Sequence, residues 1–303
     1  MKFHIAAVEP KGFAYGHFLD ELCKTLCFGL ESLGHDCSIG FNRLDGTRTN
    51  IVVGAHLFTS PQDVETIAQQ GPYIAIQSEI VRPEGVNLYR DQQQYEMVYL
   101  PFLRRAMAVW EGVPTNVAVL ERLDIRAQLL LGGYHPAMEE VVHKQTKDID
   151  FLFYGSVTPH RRSLLQALQQ RGYRLEVVFD VRAMFRNDLI ARTKVNLAPA
   201  QGQGMDHLAW GRICFLLNNR SLVVVEQSDN QQWLEHCFPS AETHRWVDLC
   251  EETLNAPDRI EKTVMYYERF RAMPYTEQLE RVLDESLGAE SGERGTGDSS
   301  LTS

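Results

Sequence analysis

No stretch of this 303-residue chain approaches the ~18 consecutive apolar residues that a membrane-spanning helix needs. Its opening, Met1-Lys-Phe-His-Ile-Ala-Ala-Val-Glu9, is too short and too soon charged for a secretory signal, so a cytoplasmic location is expected. The 6 cysteines form no Cys-x-x-Cys pair and most sit among apolar neighbours, which argues against both a disulfide framework and a zinc site. Positive charge is scarce. With 30 Lys and Arg against 40 Asp and Glu, the formal net charge of -10 is unsuited to a general nucleic-acid or anionic-membrane surface. No Asp-x-Asp motif falls in a loop suited to holding a metal. The remaining composition, 44% hydrophobic and 23% charged, is that of a soluble globular chain long enough for two domains of ordinary size.

What is present is alternation. Residues 2–8 read as a buried strand, then Phe18, Leu22, Leu26, Leu30 and Leu33 recur near helical spacing until Gly34. Short strands are expected at 37–41 and 51–54, a helix over 61–70 opened by Pro61, and a strand over 72–77 that ends at Ser78-Glu79. Residues 91–99 are helix-compatible, while Pro101 to Trp110 fits helix, strand or both. A helix over 116–123 and a strand over 126–131 complete the first half. After a polar link at 143–148, the pattern sharpens into strands at 149–154, 174–179, 194–198 and 221–225, separated by helices at 159–171, 183–192 and 206–218. Helices at 248–254 and 256–273 follow, the latter after a Pro257 start. This predicts an α/β architecture of two doubly wound, Rossmann-like domains facing a central cleft, at 1–145 and 146–285, with 286–303 a disordered tail.

In such sheets ligands lie outside the carboxyl ends of strands. The informative example runs from Asp148 to Glu226. Ile149-Asp-Phe-Leu-Phe-Tyr-Gly-Ser156 is an apolar run that stops at a small-residue turn, and Pro159-His-Arg-Arg162 then opens a helix. Unsatisfied N–H groups at a helix start attract an anion, and a glycine before them allows close approach, although a Gly-Ser turn is also how many buried strands end. Arginines cluster between residues 161 and 192 of an otherwise acidic chain, a pattern suited to a small anion rather than a polymer.

Four segments, Ile149 to Ser156, Arg161-Arg162, Leu189 to Leu197 and Arg212 to Glu226, resemble the C-terminal domain of CgeB-like glycosyltransferases, which have the GT-B fold. Val52-Val-Gly-Ala-His56 and Ile76-Gln-Ser-Glu79 are similar to segments of their first half. The resemblance implies transfer of a sugar from a nucleotide-diphosphate-sugar donor, held mainly by the second domain, to an acceptor held mainly by the first. That acceptor could be a glycan, a protein or a small molecule. The donor is a substrate, and neither a cofactor nor a metal is implied.

On that basis Arg161, Arg162, Lys194 and Arg212 are the candidate cations for the leaving diphosphate, with the Gly155 and Ser156 backbone as cradle. His17, after Gly16 in the first strand–helix loop, and Glu79 are the candidate bases for the acceptor hydroxyl. Glu226 is expected to hydrogen-bond the donor sugar, and Asn196 and Gln201-Gly-Gln-Gly204 to flank the site. Where the family commonly carries Glu-x-x-Arg, this chain has Ala209-Trp-Gly-Arg212, and Asp206, one turn earlier, is the candidate substitute for the missing carboxylate. That departure keeps two other readings open: a non-catalytic nucleotide-sugar-binding or assembly protein, and a nucleotide-sugar epimerase on the same fold.

Overall fold

Apolar runs bounded by small-residue turns become parallel strands in both halves of the chain. The computed structural model describes residues 1–10, 19–82, 85–86, 92–202 and 208–288. Its first part contains β1 (Lys2–Ala7), α1 (Asp20–Ser32), β2 (Asp36–Phe41), β3 (Thr49–Val53), α2 (Pro61–Ala68), β4 (Tyr73–Gln77) and a small antiparallel pair, β5 (Val81–Arg82) and β6 (Gly85–Val86). The stretch that sequence left open between helix and strand is both. A short α3 (Gln92–Gln94) passes through a π-turn at Tyr95–Tyr99 into α4 (Leu100–Arg105), and β7 (Ala108–Glu111) follows. Then come α5 (Pro114–Arg122) and β8 (Ala127–Leu129). The strands order as β2-β1-β3-β4-β7-β8, every neighbouring pair parallel.

The second sheet is built likewise from β9 (Ile149–Tyr154), α6 (Pro159–Gln170), β10 (Leu175–Val178), α7 (Ala183–Arg192), β11 (Thr193–Ala198), α8 (Trp210–Asn218), β12 (Val223–Glu226) and β13 (Ser240–Ala241). Its order is β10-β9-β11-β12-β13, again all parallel. Strands buried on both faces need apolar side chains on both. Phe151, Phe153, Val195 and Leu197 pack with Leu164 and Leu168 of α6 on one side, while Leu152, Ala198, Val223 and Val225 pack with Ile213 and Leu217 of α8 on the other.

Local chemistry sets the helix ends. Ser60 and Asp63 form a reciprocal capping box at α2, Thr158 caps α6 with Pro159 in its first turn, and Gly172 leaves α6 at φ 86°, a left-handed conformation that costs glycine little. The C-terminal region departs from expectation in three ways. Ser240–Ala241 adds an edge strand; α9 (Thr243–Asn255) and α10 (Arg259–Arg271) replace the expected helix bounds; and a further helix, α11 (Tyr275–Leu287), takes in Ser286 and Leu287, which sequence assigned to the tail.

The chain divides into two compact units. One comprises Met1–Val8, Gly29–Leu131 and the segment from Thr276, and the other Glu9–Phe28 with Gly132–Tyr275. α11 thus belongs with the first sheet. Leu279 and Val282 are fully buried there, and the Trp110 indole donates to Ser286 Oγ at 2.8 Å. Leu279→Ala is expected to lower the stability of the first unit by ~2–5 kcal/mol, the usual cost of a large-to-small core change, read from the urea midpoint of that unit's transition.

Candidate functional site

Strand order reverses between β9 and β11, so the loops after those two strands form the crevice where a doubly wound sheet binds ligands. Arg161 joins them. From the first turn of α6 its Nε donates to the carbonyls of Pro199 (3.2 Å) and Ala200 (3.1 Å), and its Nη1 donates to Ser156 O (3.0 Å) and Oγ (3.2 Å). A buried guanidinium that spends these bonds on three backbone carbonyls and a hydroxyl of the two loops acts as a clamp on the crevice walls, where sequence placed it at the leaving diphosphate.

Arg212 is placed differently. It sits in the first turn of α8, whose N-cap residue, Ala209, makes no side-chain capping bond. Its Cζ lies 4.9 Å from the Phe153 ring centre and 5.3 Å from that of Tyr154, across the carboxyl end of β9. Its Nε and Nη1 are shielded from solvent and have no hydrogen-bond partner among the described residues. Burial accordingly pulls the guanidinium below its ordinary pKa. Two desolvated cation–π contacts at ~2 kcal/mol each offset part of the lost hydration, but two unmade donors cost ~1–3 kcal/mol apiece, so the pocket holds a cation that still lacks an acceptor. Arg186, which shares the Tyr154 ring at 5.7 Å and lies 4.2 Å from the Phe215 ring centre, already has a carboxylate in Glu21.

Gly155 completes this wall. It has φ 143°, and a Cβ there would collide with Arg212 Nη2. The glycine is required twice, by its backbone and by the cation lying against it.

At the same edge Glu226, buried at the end of β12, accepts from His160 Nε2 at 2.9 and 3.0 Å, from the Ala200 amide at 2.7 Å and from Thr243 Oγ1 at 2.5 Å. One carboxylate therefore fastens the start of α6, the loop after β11 and the start of α9. His160 and Thr243 were not singled out from sequence. The only sequence signal for either is the position of His160 in Pro159-His-Arg-Arg162, at the same helix start as the arginines.

The other expected residues disperse. Arg162 is exposed on α6, one position beyond the clamp. Asn196 is buried mid-strand, its Nδ2 3.3 Å from Leu222 O. Lys194 is the second residue of β11 and pairs with Asp150 at 2.7 Å, which puts it at the amino edge of the sheet, ~13 Å of strand from the crevice. Gly16, His17 and Asp206, with Gln203 and Gly204, lie outside the described residues.

In the first unit, Glu79 follows β4 and faces His56, which follows β3, with Oε1 and Nε2 3.6 Å apart. A buried amide network shapes that turn. Gln77 Nε2 donates to Glu79 O (2.7 Å) and Glu111 Oε2 (2.8 Å), while Asn116 Nδ2 donates to Glu79 O (2.6 Å) and Glu111 Oε1 (3.2 Å). Tyr99 and the Glu79 amide both donate to Gln77 Oε1. Burial pushes the Glu111 carboxyl up to about 8, with the Val113, Gln77 and Asn116 donors pulling the other way.

Two outcomes follow from this geometry. Gly155→Ala should cost ~1–3 kcal/mol by forcing a side chain into a left-handed conformation, seen as a lower thermal midpoint. Glu111 binds more protons folded than unfolded between its ordinary value of 4.5 and about 8, so its contribution to stability falls as pH rises through that window. Glu111→Gln removes the titration, and its destabilisation relative to wild type should be larger at pH 5 than at pH 8 in paired urea titrations.

No family model matches the chain, and no curated protein matches it. Among solved structures it is similar to HepE from Anabaena in complex with UDP-glucose, at 11% identity and a TM-score of 0.60 over 94% of this chain and 99% of that one. It is also similar to AviGT4, a glycosyltransferase involved in avilamycin A biosynthesis, at 15% identity and a TM-score of 0.59 over 95% and 98%. TarM matches 86% of this chain at 10% identity and a TM-score of 0.53, and the chain spans only 57% of TarM's length. At these identities the likeness establishes the fold: two parallel-sheet, Rossmann-like α/β domains of the GT-B class.

Proposed function

We propose that the protein is a glycosyltransferase of CgeB-like type that moves a sugar from a nucleoside-diphosphate donor without a metal. The observation that carries this reading is Arg212: a cation packed between two aromatic rings at an uncapped helix start, beside a glycine, with two buried donors unmade. A leaving diphosphate is the group such a site suits. It accepts several hydrogen bonds at once, and its negative charge grows as the glycosidic bond breaks, so Arg212 and the first-turn amides of α8 stabilise the transition state more than the ground state. Arg161 and Glu226 contribute by fixing the crevice loops. For the acceptor proton, Glu79 with His56 is the candidate base among the described residues, its turn held by the buried amides of Gln77 and Asn116.

HepE is described with UDP-glucose, which makes uridine nucleotides the first donors to test. A second reading, donor binding without turnover, is favoured by Ala209, which offers no carboxylate at the helix start.

The test is a thermal melt with UDP, then turnover with UDP-sugars in EDTA. UDP at ~100 times its dissociation constant should stabilise the protein by ~2.7 kcal/mol, and Arg212→Ala should abolish the shift. Release of UDP in EDTA upholds metal-free transfer, whereas a shift without release across a broad acceptor panel selects the binding reading. No shift with any nucleoside diphosphate would overturn both.

A further inference from the structure

At the opposite edge of the second sheet, beneath the amino ends of β11 and β12, lies a cavity of about 640 Å³, within the range of sites that enclose small molecules. Its cations are arranged unusually. Lys147 Nζ donates to Thr193 O at 2.8 Å and to His143 Nδ1 at 3.1 Å, while His143 Nε2 donates to Asn219 O at 2.6 Å. Two of the three ammonium protons are thus directed by neutral acceptors, and the third has no acceptor among the described residues. Arg259, in the first turn of α10, hydrogen-bonds the Leu254 carbonyl and stands close enough to depress Lys147 by like-charge repulsion. Neither Lys147 nor Arg259 has a carboxylate partner among the described residues. The other charges lining the cavity are committed: Lys194 to Asp150, Arg220 to Glu139 and Glu268 to Arg271.

In a chain of net charge -10, two cations lining one cavity without carboxylate partners make a local positive field that favours an anion there. The rest of the lining limits what that is. Leu222, Tyr267 and Val264 form apolar walls, and Ile260 stands 75% exposed on the rim. A bare inorganic ion would leave those walls wet, and a nucleic acid would meet the repulsion of the acidic whole.

We infer that this cavity is a second anion site, separate from the Arg212 crevice, that takes a small phosphomonoester with an apolar or aromatic body, its phosphate on Lys147 and Arg259 and its body against Leu222, Val264 and Tyr267. Burial and Arg259 together push Lys147 down to about 8, a cost that a bound phosphate relieves. The site makes no use of the donor crevice, so it stands independently of the proposed transfer activity.

Calorimetric titration of the full chain with phenyl phosphate tests it, with inorganic phosphate and phenol as half-ligands. Phenyl phosphate should bind saturably and more tightly than either half. Loss of one charged hydrogen bond in Lys147→Met, or separately in Arg259→Gln, should weaken binding about tenfold or more. Arg212→Ala should leave it unchanged. If Lys147→Met fails to give the wild-type circular dichroism spectrum, Arg259→Gln, at the helix start, decides. The inference is overturned if phenyl phosphate shows no saturable binding at millimolar concentration, if a folded Lys147→Met or Arg259→Gln protein binds as wild type does, or if Arg212→Ala removes the binding.

Discussion

A guanidinium taken out of water without an acceptor is the constraint on which the second unit is built. Arg212 could have been solvated, or paired as Arg186 is with Glu21, and in neither case would its surroundings be needed. Because it is neither, the neighbourhood has a specific form. Aromatic faces at Phe153 and Tyr154 support the cation, position 155 has no Cβ, and the start of α8 carries no capping side chain to compete for the space. Arg161 and Glu226 then immobilise the loops on either side, each spending its hydrogen bonds on the protein itself. Such preorganisation suits a site that must stabilise charge appearing only during reaction, because nothing has to reorient as it forms.

The first unit follows a similar logic with neutral groups. Gln77 and Asn116 each donate both to the backbone of Glu79 and to the buried carboxyl of Glu111, so the position of an accessible acid depends on a hidden one. Glu111 is costly to keep charged at this depth. Its presence is explained by the turn it organises rather than by any contact it could make with solvent.

How much of this was legible in the sequence depended on the range over which each feature is encoded. Strand, Gly-Ser turn and helix start at 149–162 are local, and both the doubly wound sheet and the placement of Gly155, Ser156 and Arg161 could be read there. Lys194 stands first in the expected 194–198 strand, so its amino-edge position was legible, and placing it at the diphosphate followed the resemblance rather than that position; the observed pairing with Asp150 holds it at that edge. The pairing of Glu226 with His160 spans 66 positions, and no periodicity links them. Arg212 was visible as a candidate through resemblance alone. Its unpaired state depends on rings contributed by β9, which a reading of its own helix does not reveal. In the C-terminal region the breaks on either side of Pro257 and Pro274 hold, but α9 begins at Thr243 rather than 248 and α11 follows Pro274, because the burial of Trp246, Leu279 and Val282 that fixes those helices is tertiary and not local.

The assignment of α11 to the first sheet has a consequence for synthesis. The larger part of the second unit, Gly132–Tyr275, is interposed between two of the first unit's three pieces, and the buried face of α11 supplies Leu279 and Val282 to a core whose other members are translated far earlier. Chains commonly complete their domains in the order in which they leave the ribosome. Here the later-made unit has all its strands before the earlier one has all of its core, so the first unit is the last to close, and its hydrophobic face stays uncovered until α11 has been made.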